Sequence, residues 1–222
     1  MASETDRLIE RLAREAEPVR RLPPPLRRAA IWLAAVAAAL ATAILAFADL
    51  EVFARRAADD KMALELVGTA LTGILATVAA FELSLPDRAR SWALLPLPGL
   101  VLWIASSGYS CWRHWLTYGP DGWEIGESWN CFRFILAASI PLAASLIFLL
   151  RRARPLAPLP CALMGGLGVA AIAAFALQFF HPFDVTFMDL AVHLVAVAIV
   201  VAAVGVAERA SERRLALPLT NV

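Results

Sequence analysis

Residues 29–48 read A-A-I-W-L-A-A-V-A-A-A-L-A-T-A-I-L-A-F-A, twenty positions without a single charge. An α-helix rises about 1.5 Å per residue, so twenty apolar residues cover the roughly 30 Å of a bilayer's hydrocarbon core. Five more runs of this kind follow, at about 62–84, 92–110, 131–150, 158–179 and 185–207. None alternates with the period of two that a membrane β-barrel requires. With 60 % hydrophobic residues and a mean hydropathy of +0.68, the chain is too apolar for a soluble domain of 222 residues. The reading is an all-α polytopic membrane protein, a bundle of six transmembrane helices over 29–207, with tails at 1–28 and 208–222.

The stretch before the first span is polar and carries seven arginines, so the span is not the core of a cleavable signal. Ser3, Glu4, Thr5 and Asp6 supply a helix N-cap with acids in the first turn. Leu8, Ile9, Leu12, Ala13 and Ala16 then recur at helical spacing. This predicts a short amphipathic helix over about 5–17. Pro18 helps to end it, and Arg20-Arg21-Leu22-Pro23-Pro24-Pro25 follows as a stiff, extended connector. A helix of three or four turns is marginal alone in water, so it docks on the bilayer surface or on a protein.

Orientation follows from the basic residues. Fifteen of the twenty lie in the two tails and in the loops after the second and fourth spans. The other side holds Arg55, Arg56, Lys61, Arg113 and Arg133. The positive-inside rule then puts both termini in the cytoplasm. The longest outer loop, about 111–130, is rich in tryptophan and is expected along the membrane surface. The second span carries Gly68, Thr69, Thr72, Gly73 and Thr77, and the fifth Gly165, Gly166 and Gly168, residues small enough for close helix packing in lipid. Pro141 is expected to bend the fourth span.

The topology sorts the reactive side chains. Cys111, Cys131, His181 and Asp184 fall at the outer side, and Cys161 at the cytoplasmic end of the fifth span. An outer cysteine pair faces an oxidising compartment, where a Cys111–Cys131 disulfide persists; the alternative is two separate buried thiols. Cys131, His181 and Asp184 offer soft and borderline metal ligands, though without local ligand spacing. Glu65, Arg133, Asp189 and His193 lie in the outer halves of their spans. Polar groups at that depth need partners. Asp189 with His193, at i and i+4, and Glu65 with Arg133 would supply them. Catalytic serine pairs, H-E-x-x-H motifs, phosphate loops and facing haem histidines are missing, so no enzyme activity and no cofactor is expected. A net charge of +1 gives no footprint for direct nucleic-acid binding. A small ion-coupled transporter using Glu65, Asp189 and His193 is an alternative reading.

Three segments carry a family resemblance: D-R-L-I-E-R-L-A-R-E-A-E-P-V-R-R-L-P-P-P-L-R-R over 6–28, A-A-F-E-L-S-L-P-D-R over 79–88, and the stretch from Cys131 to R-R-A-R-P. The chain resembles the NrsF family, six-span anti-sigma factors of the bacterial inner membrane. The resemblance implies a cytoplasmic tail that sequesters an extracytoplasmic-function sigma factor, with Leu8, Leu12, Val19, Arg20, Arg21 and Leu22 as contacts. It also implies periplasmic sensing of envelope, oxidative or metal stress through cysteines. One of these matches Cys131. The other is expected before the sixth span, where this chain has His181. Cys111 as a substitute, a metal held by Cys131 and His181, or a different signal are the ways that departure is met.

Overall fold

The structure, a computed structural model, describes residues 3–15, 22–119, 126–180 and 187–216. Among these it contains eight α-helices, a short 3-10 turn and no strand. The helices are α1 (Glu4–Glu15), α2 (Pro25–Phe47), α3 (Leu50–Ala57), α4 (Asp60–Glu82), α5 (Leu97–Tyr118), α6 (Gly126–Arg151), α7 (Pro158–Leu177) and α8 (Phe187–Ala216). All but α1 and α3 are long and apolar enough to cross a membrane, which gives the six expected spans. The short amphipathic helix ahead of them is α1.

Successive spans run antiparallel, so the bundle has two ends. The end where the tail enters is here the tail-proximal end; the other is distal. α7 is the central helix, with 67 % of its span buried, whereas only 11 % of the α2 span is. α4 lies along α7. α5 packs on α4, α6 and α8 pack on α7, and α2 rests on α4.

Small residues set these distances, as the second and fifth spans suggested. A Cβ on Gly68 would stand 2.7 Å from the backbone nitrogen of Trp103, and one on Gly99 would stand 2.7 Å from that of Thr72. Gly73 and Gly168 make the equivalent crossing of α4 with α7. Without a solvent-driven hydrophobic force between helices in lipid, this close van der Waals contact is what holds them. Thr69, Thr72 and Thr77 are fully buried there, each donating its hydroxyl to a carbonyl of its own helix at 2.7–2.8 Å.

The structure departs from expectation in three places. The stretch 111–130 is not one surface loop: α5 continues to Tyr118 and α6 begins at Gly126. C-W-R-H-W-L-T-Y contains no helix breaker, so α5 winds on to Gly119, whose φ of 86° only glycine adopts cheaply. α8 likewise runs past 207 to Ala216, because A-E-R-A-S-E-R-R-L-A is composed of helix-tolerant residues. α3 was not anticipated at all. It sits in the loop between the first two spans, capped by the Asp49 carboxylate, which accepts from the Glu51 and Val52 amides at 3.1 and 3.0 Å. α6 stays helical through Pro141, the one proline inside that helix.

Candidate functional site

The tail begins with a reciprocal cap. The Asp6 amide donates to Ser3 Oγ at 3.2 Å, and the Ser3 amide donates to Asp6 Oδ2 at 2.9 Å. Two i,i+4 ion pairs, Arg14–Glu10 at 2.8 Å and Arg11–Glu15 at 3.0 Å, brace the polar side. The apolar side has no cover. Leu8, Ile9 and Leu12 are 56, 60 and 58 % exposed, and α1 has no buried residue. Leu8 and Leu12 thus share one open stripe, and Leu22 is exposed beyond it. Val19, Arg20 and Arg21 lie outside the described residues.

Where the tail enters the bundle, a polar layer fastens α2. The Arg28 guanidinium donates to the Leu149 carbonyl at 2.6 Å and lies 5.0 Å from the centre of the Phe81 ring. That carbonyl is in the last turn of α6, which has no intrahelical donor to offer it. One turn further, the Trp32 indole N–H donates to Ser145 Oγ at 3.1 Å. Nearby, the buried Glu82 carboxylate has Arg88 Nε 2.9 Å from its Oε2, an ion pair without hydrogen-bond alignment. Arg151 reaches Glu208 at 2.9 Å and so ties α6 to α8. Sequence reasoning missed this layer. Its one legible sign was F-E-L-S, an acid directly behind a long apolar run.

At the distal end the predicted residues separate into three groups. Glu65 is 3 % exposed, and Ser110 on α5 hydrogen-bonds it, while Arg56 and Asp59 act on it electrostatically. Arg133, the partner expected for it, is exposed on α6. Cys131 and Ile135 hold the buried face of that helix, and residue 133 points the other way. Asp189 is 5 % exposed. The contact expected between it and His193 runs to the main chain: His193 Nδ1 lies 2.6 Å from the Asp189 carbonyl oxygen, which accepts the ring N–H. Cys111 and Cys131 are 1 and 4 % exposed and are not joined by a disulfide. Among the described residues no three His, Cys, Asp or Glu side chains converge as metal ligands. His181 and Asp184 lie outside those residues. Cys161 sits at the opposite end, its thiol donating to the Ala157 carbonyl at 3.4 Å.

The molecule thus has an open amphipathic helix at one end, a hydrogen-bonded anchor where that helix's connector joins the bundle, and buried thiols and carboxylates at the other end. The family described as NrsF, Negative regulator of sigma F, matches residues 12–211 of the chain. No curated protein and no solved structure matches it.

Proposed function

The chain belongs to the NrsF family, negative regulators of sigma F, and on that footing we propose that it is a membrane-bound anti-sigma factor whose N-terminal tail sequesters an extracytoplasmic-function sigma factor. The observation that carries this reading is α1. A helix with Leu8, Ile9 and Leu12 in one exposed row buries nothing of its own. It is too short to be stable without a surface to lie on. A partner's apolar groove supplies one, and the flanking arginines suit acidic groups at its rim.

The excess of basic residues on one side supports cytoplasmic termini, and the family supports a bundle in the bacterial inner membrane. The distal end then faces the periplasm. Cys111 and Cys131 there, with His181, are the side chains suited to register an oxidant or a thiophilic metal, and such a signal would release the sigma factor.

The test is capture of the sigma factor by the full chain in membranes. Leu8→Asp/Leu12→Asp, and separately Arg20→Ala/Arg21→Ala, should each lower capture at least about tenfold while the bundle stays folded, as loss of central contacts does in helix-in-groove complexes. Undiminished capture by both variants would remove the tail as the binding element.

A further inference from the structure

α2 carries the tail, yet the bundle fully buries side chains in only half of it. Its buried residues, Pro25, Ala29, Trp32 and Val36, all lie in the tail-proximal half. From residue 37 to 47 no side chain is buried. The other end of α2 runs directly into α3 through two residues, Ala48 and Asp49. Both are tied. The Ala48 amide donates to the Ile44 carbonyl at 2.9 Å, and the Asp49 carbonyl accepts from the Phe53 amide at 3.0 Å while its carboxylate caps α3. Each bond belongs to its own helix, and the junction is a short elbow of only two residues.

α3 has eight residues and could not persist alone. Its position is set by what it touches. Phe53 stacks on Phe179 beyond the end of α7, with ring centroids 4.3 Å apart and planes 19° from parallel. Phe179 in turn meets Phe175 edge-on at 5.4 Å. Arg56, one turn along the same side, acts on the buried Glu65 carboxylate of α4. Leu50, Glu51, Ala54 and Arg55 face outward. α3 is therefore seated by α4 and the end of α7, and α2 is joined to it through two residues, a link with little length to spare.

We propose that α3 is the lever through which the distal end of the bundle sets the position of the tail-bearing helix. A change in charge or ligation at Glu65, or a shift at the end of α7, alters the seat of Arg56 and Phe53. The elbow hands that displacement to α2, whose distal half is held only by half-buried side chains, Leu40 against the core among them. At the tail-proximal end it works against two hydrogen bonds, Arg28 to Leu149 and Trp32 to Ser145. Both ends thus bias one movable element, which is the physical requirement for coupling. The inference deepens the anti-sigma reading and rests on it only for the consequence at the sigma factor.

The test is amide hydrogen exchange of the full chain in lipid nanodiscs, with no inducing signal and no sigma factor added. Phe53→Ala and Arg56→Gln should speed exchange of residues 22–32, across the bundle from the change, by about threefold or more; Arg56→Lys should restore much of the protection. A Gly-Ser-Gly insertion between Ala48 and Asp49 cuts the elbow and leaves both seats intact. Added to Phe53→Ala, it should return exchange of residues 22–32 to the wild-type rate. Loosening confined to α3, or loosening of residues 22–32 that survives the insertion, would overturn the lever, the second outcome showing general destabilisation instead. Sigma-factor capture is measured separately. Its failure in the wild-type chain would sink the anti-sigma reading while leaving the exchange result to decide the lever.

Discussion

Trp32 is the largest of the four side chains that α2 buries, and its contact with Ser145 is one of the two hydrogen bonds that hold the tail-bearing helix. Trp32→Phe keeps an aromatic ring in the site and deletes the indole N–H. Ser145→Ala deletes the acceptor and leaves a buried donor unpaired. Side-chain hydrogen bonds between helices in lipid average about 0.6 kcal/mol and reach about 1.7. Trp32 is 4 % exposed, so its stranded N–H finds no water, and Ser145→Ala should cost about 1–1.5 kcal/mol, toward the top of that range. The reverse change is milder in its polar part. Without the indole, Ser145 still donates to the Leu142 carbonyl at 2.8 Å. Trp32→Phe should cost about 1 kcal/mol, part of it packing around the smaller ring. The double variant removes one interaction only once, so the coupling energy should be about 0.5–1 kcal/mol. Reversible unfolding of the four proteins in mixed micelles, followed by far-UV circular dichroism, measures it. Strict additivity, with coupling below about 0.2 kcal/mol, would refute the reasoning. α2 would then be held by packing and by Arg28, not by this bond.

Other outcomes follow from the same packing. Gly68→Val should destabilise by about 2–3 kcal/mol, because its Cβ meets backbone of Trp103 that cannot turn aside, whereas Gly108→Ala, with nothing within 4 Å, should be neutral or slightly stabilising; equal effects in the unfolding assay would contradict the crossing described. Arg151→Gln should cost about 0.5–1 kcal/mol through the lost Glu208 pair, and the exchanged pair Arg151→Glu/Glu208→Arg should recover part of it. Leu8→Asp/Leu12→Asp should leave unfolding of the bundle within about 0.5 kcal/mol of wild type, since both positions are more than half exposed. Cys111 and Cys131 should react with a water-soluble maleimide at least about tenfold more slowly in the folded chain than in the unfolded one, and fast labelling of either in the folded chain would contradict its burial.

The bundle was legible because each span announces itself by length and apolarity, which no neighbour can alter. The cap at Ser3 and the apolar stripe of α1 were legible for a similar reason: both are local. Helix ends were less so. Residues 111–118 read as a loop because tryptophans and charges cluster there, but composition is not a stop signal. Gly119, with its φ of 86°, is. α3 was hidden by its size. Eight residues span barely two turns, too few for a period to stand out, and R-R-A-A-D-D looks like any charged connector.

The polar contacts divide along a sharper line. Arg133 could have been rejected as the partner of Glu65 from sequence geometry alone. Two residues along a helix turn it about 200°, so Arg133 and Cys131 face opposite ways, and only one of them can point into the bundle. The true surroundings of Glu65 could not be read in this way. Ser110 lay at the very end of the expected third span, and Arg56 belongs to a helix that was not expected. The anchor of α2 lay further still from view. Its strongest contact ends on the Leu149 carbonyl, and a main-chain oxygen has no signature in the choice of side chain. Leucine is written there whether or not its carbonyl holds an arginine. In a helical membrane protein, every helix terminus offers such acceptors, and an arginine at the head of the next span looks like a topology marker until the chain is folded. Arg28 can carry both signs: a charge of the kind that marks topology is here the donor that fastens the span.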